Sequence, residues 1–288
     1  REIKQSEVLN ETKDVPEEIP ESFIPTPEQE SVKNHASGAL IVKAGPGTGK
    51  TGTLIAWIAN QVENKGLNPE NVMAVTFTNK AADEMQVRLR SIIGDKSEKI
   101  ITGTFHSICY NILRQKNPEL NTIHDNEGRQ IILNILFPDL KNSEIKKLSN
   151  ALSDYFERST GSDSENIKEI AELYRDYNKK HNSVDLSDII FQTVKLFCDE
   201  PEFLTAVRNH LKAIAIDEFQ DINPLQYRFI KLLARDKDIL AIGDPDQAIY
   251  GFRGSDVSFF YDFQKQYSHK VISLEVNYRS TEQILKAG

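Results

Sequence analysis

Ala39-Leu40-Ile41-Val42-Lys43-Ala44-Gly45-Pro46-Gly47-Thr48-Gly49-Lys50-Thr51 runs into a segment with Leu54, Ile55, Ile58, Ala59 and Val62. The first four residues form a short apolar run of the kind that is buried on both faces in a parallel sheet. The later set recurs at helical spacing, so the stretch reads as strand, loop and helix. The loop between them suits an anion. Its glycines let backbone N–H groups turn inward, and the helix start adds partial positive charge. Ala44, Gly45, Pro46, Gly47, Thr48, Gly49, Lys50 and Thr51 are therefore a candidate phosphate cradle. Lys50 would reach the outer phosphates and the Thr51 hydroxyl would serve Mg²⁺. Ala44 stands where the strict pattern has glycine. The bland alternative, a glycine-rich turn with an exposed lysine, is disfavoured by the flanking strand and helix.

Five further apolar runs follow: Val72–Val75, Ile100-Ile101, Ala213–Ile216, Ile239–Ile242 and Val271–Leu274. After Val72–Val75, Met85, Leu89 and Ile92 mark one helix face. Alternation of buried strands and amphipathic helices implies an α/β fold, a parallel sheet flanked by helices. Between about Tyr110 and Glu200 the periodicity is helical and no clear strand is visible. The expected organisation is an acidic tail over 1–24, an α/β domain from 25–109 and 200–288, and a mostly α-helical insertion over 110–199.

Composition sets bounds on this reading. The chain has 288 residues, 39% hydrophobic and 27% charged, enough for a core and too ordered in pattern for wholesale disorder. No run approaches the roughly 18 apolar residues of a membrane span, and no secretory leader is visible. Cys109 and Cys198 lie far apart with no metal spacing, so both read as buried thiols in a reducing, cytoplasmic setting. The net charge of −8 is concentrated at the start, where residues 1–30 hold nine acids against three bases. The rest carries 32 bases and 34 acids, so global charge neither marks nor excludes a nucleic-acid partner.

Ile214-Ala215-Ile216-Asp217-Glu218-Phe219-Gln220-Asp221 ends a buried strand in carboxylates. In a parallel sheet the C-terminal strand ends share the ligand edge, so this pair would face the phosphate loop. Asp217 fits the Mg²⁺ side, and Glu218 fits a group that orients and deprotonates water. The bland alternative is an acidic turn capping the helix that begins near Pro224. Another strand ends in Gly243-Asp244-Pro245-Asp246-Gln247, where Gln247 is placed to contact a γ-phosphate.

Taken in order, the motifs resemble those of the UvrD/Rep-like helicases, superfamily 1 DNA motors. They are Ala44–Thr51, Thr76–Ala82, Thr102–Ser107, Asp217–Asp221, Gly243–Gly254 and Asn277-Tyr278-Arg279-Ser280. The resemblance covers about Phe23 to Gly288. It implies a RecA-like P-loop NTPase domain, an inserted helical subdomain, Mg²⁺-dependent ATP hydrolysis and 3′–5′ movement along single-stranded DNA or at a single/double-strand junction. Gln29 reads by itself as only a polar residue in a Pro-rich loop; by the same resemblance it matches a residue on the adenine edge, and Tyr278 one that stacks on the base. Arg279 matches a γ-phosphate contact and Gln247 the γ-phosphate sensor. Phe77, Asn79, His106, Tyr250, Phe252 and Arg253 match positions that contact or couple to DNA. Stacking suits a motor because every base offers a π-face. Gly52 replaces the family's usual arginine, and Phe252 stands where tryptophan is common. The second RecA-like domain is expected to be missing, which leaves the isolated chain weakly active; no membrane partner is expected. A P-loop ATPase with no helicase activity, or a truncated DNA- or partner-binding regulatory module, are the alternatives.

Overall fold

Every one of the six apolar runs becomes a strand. In the computed structural model, which describes residues 25–158, 165–248, 256–267 and 270–278, the strands are β1 (Ala39–Ala44), β2 (Val72–Thr76), β3 (Ile101–Thr104), β4 (Thr122–His124), β5 (Ser183–Asp185), β6 (Ala213–Ile216), β7 (Asp238–Gly243) and β8 (Val271–Leu274). Six of them form one sheet in the order β3-β2-β6-β7-β1-β8. All its pairings are parallel, so six C-terminal strand ends share one edge.

The helices are α1 (Pro27–Lys33), α2 (Lys50–Glu63), α3 (Asn79–Ile93), α4 (Phe105–Lys116), α5 (Asn126–Leu136), α6 (Asn142–Arg158), α7 (Glu165–Lys180), α8 (Ile189–Asp199), α9 (Pro201–His210), α10 (Pro224–Leu233) and α11 (Ser258–Tyr267). Strand side chains alternate between two apolar layers because the pleat has a period of two. Leu40, Val42, Ala74, Ala215, Leu240 and Ile242 pack under α2 and α3. Ile41, Met73, Val75, Ile214, Ile216 and Ile239 pack under α4, α8, α10 and α11. Burial on both faces explains the near-continuous apolar runs.

Three sequence expectations change. On α3 the buried stripe is Met85, Leu89 and Ile93, at steps of four, while Ile92 is 52% exposed. Ile92 lies at the stripe's edge, and no neighbouring element covers it there. The insertion contains β4 and β5, a two-stranded parallel pair. Each has only three residues, too few to reveal alternation. Cys109 is buried, and burial pushes its thiol upward, but Cys198 is exposed on the last turn of α8.

A third apolar cluster joins Ile132 and Leu133 of α5, Ile145, Leu152 and Phe156 of α6, and Ala171 and Tyr174 of α7. The flanking helices α4 and α8 contribute to the sheet's own layer instead. Polar groups line the junction between the two. Arg175 of α7 makes a two-pronged contact with Asp188, Nε–Oδ2 2.8 Å and Nη2–Oδ1 2.6 Å. Its guanidinium also lies 4.8 Å from the Phe156 ring centre and 4.4 Å from that of Phe191. Asp188 is 1% exposed, so removing its partner strands a buried charge. Arg175→Met should therefore cost about 3–5 kcal/mol, read from the denaturant midpoint. A loss below about 1 kcal/mol would mean the pair is solvated after all. Among the described residues no helix is long and apolar enough to cross a membrane.

Candidate active site

The edge where the six strands end carries the candidate chemistry. β1 ends at Ala44 and α2 starts at Lys50, which leaves five residues to turn the chain. Gly47 and Gly49 make that turn with φ of 72° and 82°, in the left-handed region where a side chain is strained. A Cβ on Gly49 would also lie 2.9 Å from Gln29 Nε2. Gly49, the residue before α2, offers no side-chain cap, so the first N–H groups of the helix remain available to an anion. Inside the loop, the Thr48 hydroxyl donates to the Gly45 carbonyl at 2.8 Å. From outside, Asn277 Nδ2 donates to the Pro46 carbonyl at 2.7 Å and the Tyr278 N–H to the Gly47 carbonyl at 2.8 Å. Carbonyls held outward leave the amide side of the loop facing in.

Gln29 does not lie in a loop. It sits at the third position of α1, 4% exposed, where its Oε1 accepts from the Thr26 N–H at 2.9 Å as half of a capping box. Its Nε2 donates to the Thr48 carbonyl at 3.1 Å. The amide that matches an adenine-reading position is thus engaged with the helix start and the phosphate loop. Tyr278 is 46% exposed beside that loop.

At the end of β6, Asp217 is 8% exposed, its Oδ1 accepts from the Glu218 N–H at 3.0 Å, and the Thr51 hydroxyl lies close enough to favour its charged form. Burial, aided by the neighbouring Glu218 charge, pushes the Asp217 carboxyl up to about 6. Asp221 is pushed up to about 6 by the same two causes, and its Oδ1 is buried without a hydrogen-bond partner. Glu218 holds a left-handed backbone, φ 47° and ψ 46°, that turns its side chain toward the loop. Its Oε2 lies 3.4 Å from Lys50 Nζ. Lys50, Thr51, Asp217 and Glu218 are therefore one contiguous group. α10 is capped by Asn223 with Gln226, so the acidic pair does not serve as that helix's cap.

β7 lies between β1 and β6, so its end enters the same group. Asp244 accepts from the Asp246 N–H at 3.1 Å, and Gln247 Nε2 donates to Asp244 Oδ2. Gln220 joins this turn to the acidic pair. Its Nε2 donates to Glu218 Oε2 at 3.0 Å and Asp221 Oδ2 at 3.1 Å, and its Oε1 accepts from the Asp244 N–H at 2.9 Å. Gln220, Asp221, Asp244 and Asn277 were not singled out as site residues by sequence reasoning. An amide between two acids at a strand end was the available signal for Gln220.

Phe77 and Asn79 follow β2, and His106 opens α4 just after β3, on the same edge but toward the far side of the sheet. Phe77 and His106 are half-buried and Asn79 is exposed. Burial lowers the His106 pKa, since it disfavours the charged ring. Tyr250, Phe252, Arg253 and Arg279 lie outside the described residues.

Among the described residues no group of three or more His, Cys, Asp or Glu side chains forms a metal cage. A buried carboxylate with a hydroxyl beside a phosphate cradle still fits Mg²⁺, which takes one or two carboxylates and completes its shell with substrate phosphates and water. The orphaned Asp221 oxygen adds a polar atom close to that group.

Residues 25–268 match the UvrD/REP helicase N-terminal domain. The chain is similar to the ATP-dependent DNA helicase PcrA of Staphylococcus aureus (strain Mu50), 37% identical over 91% of this chain and 39% of the relative. It is also similar to PcrA of Staphylococcus epidermidis (strain ATCC 12228), 34% identical over 91% of this chain and 39% of the relative. The chain thus spans about two fifths of the length of the curated relatives it matches.

Proposed function

Because the chain belongs to the UvrD/REP helicase N-terminal domain family, we propose that it is the N-terminal motor half of an ATP-driven DNA helicase that tracks 3′–5′ along single strands. Residues 25–109 with 200–288 form the RecA-like ATP-binding domain, and 110–199 form the helical subdomain. The separate apolar cluster of α5, α6 and α7 supports the middle of that insertion as a unit, while α4 and α8 at its ends pack in the sheet's layer. One observation carries the catalytic reading: Lys50 and Glu218 meet at 3.4 Å, at the strand edge where Asp217 lies beside Thr51.

In this reading, backbone N–H groups of residues 45–50 hold the phosphates and Lys50 neutralises the charge that builds on the outer ones. Thr51 and Asp217 hold Mg²⁺. The ion's chemistry is to polarise the phosphoryl oxygens. Glu218 orients a water against the terminal phosphorus and takes its proton. Gln247 and Arg279 respond to the γ-phosphate, and Tyr278 stacks on the base. Phe77, Asn79, His106, Tyr250, Phe252 and Arg253 grip the strand, aromatic rings stacking and polar groups meeting phosphates. A second RecA-like domain completes the site, so the 288-residue chain alone hydrolyses ATP slowly and does not unwind DNA.

The test is ATP turnover by the full-length protein with and without single-stranded DNA. Turnover should rise on adding DNA, and Phe77→Ala should weaken strand binding about 10-fold while nucleotide affinity stays level. Turnover indifferent to DNA would favour an ATPase that drives some other conformational change.

A further inference from the structure

Glu218 is a long, partly exposed side chain, and a base must point. Three rotatable bonds would let its carboxylate swing through several rotamers unless a second group held it. Gln220 supplies that group. It is 2% exposed, and its rigid planar amide uses both ends. The donor end reaches Glu218 Oε2 at 3.0 Å and Asp221 Oδ2 at 3.1 Å. The acceptor end takes the Asp244 N–H at 2.9 Å, and Asp244 in turn accepts from Gln247.

Gly243 records the same fit. A Cβ there would come 2.4 Å from Gln220 Oε1 and 3.0–3.1 Å from the backbone nitrogens of Phe219 and Gln220. Its φ is not in the left-handed region, so space and not backbone freedom calls for glycine. The end of β7 has no room for a side chain because the Gln220 amide occupies it. Lys50 and Gln220 both contact Oε2 of Glu218, which leaves Oε1 as the oxygen to accept a proton.

We infer that Gln220 is a positioning residue: it sets the direction of the Glu218 carboxylate and links it to the backbone of the turn that carries Gln247. The inference rests on the reading of Glu218 as the base. Movement of that turn on meeting a γ-phosphate would reach the base through one amide, in addition to any path through the sheet.

The experiment measures DNA-stimulated ATP turnover, affinity for a fluorescent ATP analogue and thermal midpoint in the full-length protein. Gln220→Met keeps the side-chain length and removes all three bonds. It should lower kcat roughly 100-fold while KM for ATP stays within about threefold, the pattern of lost orientation. Gly243→Ala, which leaves every polar group in place but displaces the amide, should lower kcat in the same direction by about 10-fold. In a Glu218→Gln background Gln220→Met should add less than about threefold, because two residues acting as one unit are not additive. Full-sized multiplicative loss in that background, or a raised KM with kcat unchanged, would overturn the inference while leaving Glu218 as the base. A Glu218→Gln protein that hydrolyses ATP at the parental rate would overturn the underlying reading and this inference with it.

Discussion

Lys50→Ala should remove ATP turnover to below about a hundredth of the parental rate and weaken nucleotide binding together with it, the scale of losing one preorganised donor at developing charge. Lys50 is the cation whose Nζ lies 3.4 Å from Glu218 at the start of α2, with its side chain 12% exposed. An ammonium held at a phosphate loop binds the ground-state phosphates and binds the transition state, where charge builds on them, more strongly, so both KM and kcat should suffer. The fold should survive. Glu218, left without Lys50, is 37% exposed and can turn to water, so the lost ion pair contributes little to stability. A thermal midpoint within about 2 °C of the parent, with nucleotide binding weakened, is the expected signature. Undiminished binding of an ATP analogue would remove the phosphate-cradle reading altogether.

Glu218→Gln should separate binding from chemistry. The substitution keeps shape and length but cannot take a proton, and losing a general base lowers kcat about 10²- to 10⁴-fold. Binding should move the other way. In the free protein the carboxylate holds Lys50, a competitor for the phosphates. Its neutral replacement releases the lysine, so an ATP analogue should bind as tightly as to the parent or more tightly. Rapid-quench turnover beside equilibrium titration would show slow hydrolysis with retained affinity. Parallel loss of both would mean that Glu218 supports the loop and does not serve as the base.

Much of this arrangement could be read before any coordinates. Strands buried on both faces leave long apolar runs, which is why Ala39–Val42 and Ala213–Ile216 stand out in the sequence. Phosphate-loop glycines and strand-end acids also announce themselves, because their chemistry demands particular residue types at fixed offsets. Other features are written in the sequence more quietly. Thr26-Pro27-Glu28-Gln29 spells a capping box, which would have put Gln29 on a helix instead of a loop. A third group could not have been found this way. Gln220 meets the Asp244 N–H across 24 residues, Asn277 meets Pro46 across 231, and only the strand order brings them together. The choice of Ile93 over Ile92 was likewise decided by neighbouring elements, since either falls near the stripe defined by Met85 and Leu89.

The segment after β8 touches the phosphate loop from behind through two short bonds, Asn277 to Pro46 and the Tyr278 N–H to Gly47. Asn277 and Tyr278 are thus tied to the loop's outer rim. Loss of these two bonds would free the Pro46 and Gly47 carbonyls, so the loop's shape depends on a segment 231 residues away in the chain.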